Sequence, residues 1–140
     1  MSIRTAKKPI IVIVGPTSAG KSDAAVLLAK KIDGAVVSAD SRQVYRGMNI
    51  GSGKITKKEM RGIPHFCLDL ISPKTTFTAT HFIRHAMRAL KKIDSSGKIP
   101  IICGGTGFYI DILLGRMPTA AVPPDALLRK NLRKKILNRY

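Results

Sequence analysis

The chain has 140 residues, 44% hydrophobic and 24% charged. That suits one globular domain with one sizeable core and excludes a disordered or fibrous chain. Lysine and arginine number 25 against 8 aspartate and glutamate, a formal charge of +17. This excess favours a polyanionic partner, because each cation that neutralises a phosphate releases condensed counterions.

Arg4, Lys7 and Lys8 precede a short apolar run from Pro9 to Val14. The run is too short for a signal-peptide core or a transmembrane helix, so the expectation is a soluble, cytoplasmic protein without a membrane partner. Two cysteines, Cys67 and Cys103, are too few for a disulfide framework or a zinc site and suit a reducing compartment. Ile10 to Val14 is β-branched throughout and reads as a parallel strand buried on both faces. Glycine punctuation follows, then a helix from Lys21 to Ile32, with Ala25, Leu28, Ala29 and Ile32 at helical spacing.

Ala35 to Ser38 reads as a second strand, leading to Asp40. Arg46 to Gly62, with four glycines and many cations, reads as a loop with one short helical turn. Pro64 to Ile71 is a third strand candidate. The clearest helix runs from Thr78 to Ile93: Ala79, Phe82, Ile83, Ala86, Met87, Leu90 and Ile93 form one stripe, with Thr78 as N-cap. Ser95, Ser96 and Gly97 stop it. Ile99 to Cys103 is another buried strand, and Phe108 to Leu114 a short helix.

Alternating strands and helices predict an α/β fold, a P-loop-type parallel sheet with helices on both faces. The Pro-rich stretch Pro118 to Pro124 breaks the pattern. Asp125 to Tyr140 then reads as a basic helix with nothing after it to pack on, which suggests a chain that stops early or is completed by a partner. The expected organisation is a core domain over residues 1–117 and a linker with an incomplete helical segment over 118–140.

Gly15-Pro16-Thr17-Ser18-Ala19-Gly20-Lys21-Ser22 matches G-x-x-x-x-G-K-S/T in full. Chance would produce such a match in about one of a few hundred chains of this length. Here a strand precedes it and a helix follows. The glycines permit close backbone approach, the amides converge on phosphate oxygens at the positive end of the helix, Lys21 adds a point charge, and Ser22 can hold Mg2+. The bland alternative is a glycine-rich turn before an ordinary helix. The loop cradles a di- or triphosphate, ATP among them, without deciding whether that group is transferred or leaves.

Three more segments carry polar residues at strand ends, where open parallel sheets bind ligands. Asp40 can accept a proton or orient a metal-bound water, or simply cap a turn. Asp69 could be a metal aspartate or a strand-end residue. Gly104-Gly105-Thr106-Gly107 lets backbone and hydroxyl approach a ligand, or makes a tight strand-to-helix turn.

The strings GPTSAGKS, SADSRQVYRGMNIG, IPHFCLDLISP with the downstream TFTATHF, and GGTGFYI occur in this order between Ile10 and about Arg133. Together they resemble the tRNA dimethylallyltransferase family. The resemblance implies transfer of a dimethylallyl group from dimethylallyl diphosphate to the exocyclic amine of the adenosine beside the anticodon, with diphosphate as leaving group. It implies Asp40 as general base, Thr106 beside the reacting centre and Lys21 on the leaving diphosphate. It places Asp40, Ser41, Arg42, Gln43, Thr106 and Arg129 against tRNA and makes the segment from residue 118 the start of a tRNA-binding insertion. It implies Mg2+ at Ser22. Partners would be the anticodon stem-loop and a complementing C-terminal fragment, the chain being otherwise a monomer. The chain departs from the family pattern at Arg42, where a Met-like residue is usual, and at GMNIGSGKI, where GMDIGTAKP is usual.

Two other functions compete. A P-loop kinase of a small metabolite or nucleoside would use Asp69 for magnesium and the arginine-rich tail as a lid. A non-catalytic remnant would bind RNA and phosphate without turnover.

Overall fold

Runs of β-branched residues separated by amphipathic helices leave each strand needing cover on both faces, and the chain supplies it by winding in both directions. The structure, a computed structural model, describes residues 8–118 and 125–137. The elements are β1 (Ile11–Val14), α1 (Lys21–Ile32), β2 (Gly34–Ser38), α2 (Lys57–Met60), β3 (His65–Phe66), α3 (Ala79–Ser95), β4 (Ile99–Gly104), α4 (Gly107–Leu113) and α5 (Ala126–Leu137). The strands form one sheet in the order β1-β4-β2-β3, every pair parallel. The α/β expectation therefore holds.

Core side chains divide by sheet face. On one face Phe82, Ala86, Ala89 and Ile93 of α3 meet Ala35, Val37 and Ile102 of the sheet, with Tyr109, Ile110 and Leu113 of α4. Phe82 is fully buried and stacks on Tyr109 at 4.4 Å between centroids, a pair worth about 1 kcal/mol beyond its area. On the other face Ala25 and Ala29 of α1 pack on Val36, Ile101 and Cys103. The small alanines let each helix approach the sheet closely.

The helix at 78–93 runs two residues further than its apolar stripe. Thr78 caps it as the spacing suggested: its hydroxyl accepts from the His81 amide, and the His81 ring nitrogen accepts from the Thr78 amide. The helical turn expected inside the glycine-rich loop is α2, which Thr56 and Glu59 open with a capping box.

Two strands differ from the sequence reading. β1 is an edge of the described sheet, paired only to β4, so its residues are half-buried and Val14 is exposed. The expected strand at 64–71 is cut to two residues, because Cys67 (φ 64°) and Asp69 (φ 52°) are left-handed and end the ladder. Residues 69–71 pair with 43–46 instead: the Leu70 amide donates to the Val44 carbonyl at 2.7 Å, and the Arg46 amide to the Ile71 carbonyl at 2.8 Å. The basic helix at the end of the sequence is α5. Its described side chains are exposed, while Tyr140 and most of the Pro118 to Pro124 break lie outside the described residues. Among the described residues no helix is long and apolar enough to cross a membrane.

Candidate active site

A parallel sheet gathers the carboxyl ends of its strands on one side, and the loops after β1, β2 and β4 meet there. The loop after β1 carries Gly15 to Ser22. Gly20 sits at the helix start with φ 73°, a left-handed turn that glycine makes without strain and that brings the first amides of α1 to the surface. Ser18 is also left-handed (φ 63°). The Lys21 ammonium folds back and donates to the Pro16 carbonyl across the loop. Thr17 to Gly20 and Ser22 are exposed, so the amides lie within reach of a ligand from solvent.

The loop after β2 begins at Asp40. Its Oδ1 accepts from the Arg42 amide at 2.8 Å and the Gln43 amide at 3.3 Å, an Asx turn. The turn-cap alternative is thus realised, but by one oxygen alone; Oδ2 has no hydrogen-bond partner among the described residues. Gln43 reaches inward: its Oε1 accepts from Ser38 Oγ at 3.0 Å, and its Nε2 lies 3.3 Å from the Gly53 carbonyl and 3.4 Å from that of Ser52.

The loop after β4 crosses over this one. The Ala39 amide donates to the Cys103 carbonyl at 2.8 Å, and the Thr106 amide to the Ala39 carbonyl at 3.1 Å. The Thr106 hydroxyl accepts from the Ser41 amide at 3.0 Å. Gly104 makes this crossing possible: a Cβ there would stand 2.2 Å from the Ala39 carbonyl oxygen. Glycine is required here for approach, not for φ.

One cavity of about 320 Å3 joins these parts. Thr17 to Ser22 line one side of it. Asp40, Gln43 and Ser38 line another, with Gly53 and Ile55 of the glycine-rich loop. Asp23, His65 and Cys103 also face it. Gly15, Pro16, Ser41, Arg42 and Thr106 are not part of its lining; Ser41 and Arg42 are exposed, and Thr106 bonds the Ser41 amide next to Asp40. Arg129 lies on α5, exposed and away from the lining.

The segment after β3 contributes differently from its sequence reading. Asp69 does not reach the cavity, because its carboxylate pairs with Lys54 at 2.5 Å. His65 does. Its Nδ1 lies 2.9 Å from the Ile63 carbonyl, which can only accept, so Nδ1 carries the proton and Nε2 is left as an acceptor in the neutral ring. Burial holds its pKa below the ordinary imidazole value. Burial likewise raises the Cys103 thiol, against the opposing pull of Lys21, so it is a neutral thiol resting 3.5 Å from the Lys21 carbonyl. Cys67 is pushed up to about 12 by burial. Both cysteines are free.

For a metal, no three of His, Cys, Asp and Glu cluster among the described residues. Ser22, Asp23 and Asp40 are oxygen donors on one cavity. That set fits Mg2+, which takes one or two protein oxygens and completes its shell from phosphate and water.

Lys54 and His65 were not singled out from the sequence. Lys54 stands in a run with Lys57 and Lys58, which are exposed, and no periodicity separates the buried cation from its solvated neighbours.

The IPP transferase family model matches residues 43–140. A tRNA dimethylallyltransferase of Pelotomaculum thermopropionicum is 42% identical over 135 residues, 96% of this chain and 43% of that protein. One of Staphylococcus carnosus is 50% identical over 115 residues, 81% of this chain and 36% of that protein. The solved tRNA isopentenylpyrophosphate transferase of Bacillus halodurans superposes with a TM-score of 0.79 at 38% identity, covering 96% of this chain and 44% of that one. The chain thus spans less than half the length of the relatives it matches. A match running from Gln43 through α5, on a sheet of the same architecture, places the chain in the IPP transferase family.

Proposed function

We propose that the chain is the phosphate-gripping and base-receiving core of a tRNA dimethylallyltransferase. The observation that carries this reading is the single cavity shared by the phosphate loop and Asp40, a cradle for a leaving diphosphate beside a carboxylate with one free oxygen. The similarity to tRNA dimethylallyltransferases supports the same substrates: dimethylallyl diphosphate and a tRNA adenosine next to the anticodon.

In this reading the adenine exocyclic nitrogen attacks the allylic carbon, the carbon–oxygen bond breaks, and diphosphate departs with the bonding electrons. The amides of Thr17 to Ser22 and the Lys21 ammonium, released from Pro16, stabilise the negative charge growing on the leaving oxygen. Asp40 Oδ2 takes the proton from the nitrogen while Oδ1 keeps its two amide bonds, so the base stays oriented as it works. Ser22 would hold Mg2+, which when bound adds positive charge at the diphosphate. Thr106 acts through Ser41, placing the start of the loop that carries Arg42 and Gln43 toward the nucleotide. Residues from 118 onward begin a tRNA-binding insertion, with Arg129 as a backbone contact, and the adenosine leaves its stack to reach the cavity.

A kinase reading loses its magnesium aspartate, since Lys54 already occupies Asp69. The test is transfer of labelled dimethylallyl group to anticodon stem-loop RNA, by the chain and by the chain supplied with the remaining portion of a relative. Transfer abolished by Asp40→Ala is expected. RNA binding with no transfer in either setting would leave a non-catalytic phosphate- and RNA-binding protein.

A further inference from the structure

Lys54 is buried within a loop whose other lysines are exposed. Its neighbours Gly53 and Ile55 line the cavity, and Lys54 itself does not. Its ammonium donates to the Tyr45 carbonyl at 2.7 Å and to Asp69 Oδ1 at 2.5 Å, with 4% of the lysine side chain exposed against 50% of the aspartate. An ammonium this far from water persists only where fixed acceptors replace its hydration. Both acceptors are fixed. Tyr45 bridges Ile71, and Arg46 grips the main chain of Asp69 and Leu70 through Nε and a terminal nitrogen at 2.9 and 3.1 Å.

The strip from Ser52 to Ile55 is therefore fastened to the β3 segment from behind. Its front carries the Ser52 and Gly53 carbonyls to the Gln43 amide. Those two bonds, at 3.4 and 3.3 Å, are long and neutral; the charge-assisted pair behind them is the stronger tie. Gln43 in turn lies on the Asp40 turn.

We propose that Lys54 is a positioning residue that holds the Ser52–Ile55 strip in place, and through it Gln43 beside Asp40, so forming the wall that receives the nucleobase. This rests on the prenyl-transfer reading above and adds to it the residue that shapes the base side of the site.

The test compares two stem-loop RNAs, one with adenosine at the modified position and one with inosine, whose carbonyl replaces the exocyclic amine. Each is bound to the chain, to Lys54→Met and to Asp69→Asn, with pyrophosphate affinity measured beside them. Lys54→Met keeps the length of the stem and removes the charge; Asp69→Asn, at a half-exposed position, carries the test should the methionine variant not fold. The unaltered chain is expected to prefer adenosine RNA by about five- to tenfold, the effect of one or two well-placed hydrogen bonds. Both variants should bring that preference to within about twofold, with pyrophosphate affinity also within about twofold of the unaltered chain. Variants that keep the preference overturn the proposal. So does pyrophosphate binding that falls in step, because Lys54 would then be a general prop of the fold. An unaltered chain that shows no preference overturns the function reading and the proposal with it, and is recognised before any variant is made.

Discussion

The two sides of the cavity are built by opposite means. The phosphate loop is local: eight consecutive residues, one left-handed glycine and the first turn of α1 present its amides and its lysine. The wall opposite draws on distant residues as well, with Thr106 on Ser41 and Lys54 on Asp69, beside the short-range bond of Ser38 to Gln43. A diphosphate needs a dense cluster of donors, which a contiguous motif can supply. A flat base needs spaced polar groups on a firm support, which takes several strands to arrange.

The largest effect is expected at Gly104, where the loop after β4 crosses the loop after β2 beneath the assembled wall. Gly104→Ala forces a methyl against the Ala39 carbonyl, with no flexible atom to yield. A loss of about 3 kcal/mol is expected, the upper end of overpacking penalties, seen as a lower denaturant midpoint. Lys21→Met strikes the local side alone: pyrophosphate affinity should fall about ten- to hundredfold by calorimetry, while the thermal midpoint stays near that of the unaltered chain. Asp40 separates turn from chemistry. Asp40→Asn retains an oxygen for the Arg42 and Gln43 amides and should cost under about 0.5 kcal/mol, whereas Asp40→Ala loses the turn and about 1 kcal/mol. Transfer should fail in both.

The smallest effect is on pH. His65, whose pKa burial lowers, faces the cavity; His85, lowered by burial and then by Arg88, Arg84 and His81, lies on α3. The unfolded chain takes up these protons first, near pH 6.5. Their contribution to stability is therefore complete above that value and is lost as pH falls toward the folded values. Thermal midpoints between pH 7 and pH 5 should decline, and less steeply in His65→Gln.

Much of this was legible in the sequence. The apolar stripe of α3, its Thr78 cap and the phosphate loop are readable because each depends on residues within one or two turns of one another. Asp40 was readable as a carboxylate at a strand end, but not as a divided one, with one oxygen in a turn and the other free. The strand expected through Ile71 failed because left-handed residues at 67 and 69 have no signature in an apolar run. The cavity takes His65 and not Asp69, since nothing in the string IPHFCLD states which side chain faces it.

The α/β winding, the glycine-rich loop from Gly15 to Ser22 and the basic character follow from the sequence alone, because periodicity, contiguous motif and charge are properties of the chain. The tertiary structure alone decided that Lys54 is buried and that Asp69 is taken. It also decided that Gly104 lets two loops cross and that Gln43 takes the Ser52 and Gly53 carbonyls. Each of those joins residues nine or more apart in sequence, so tertiary folding and not local propensity selects the partners.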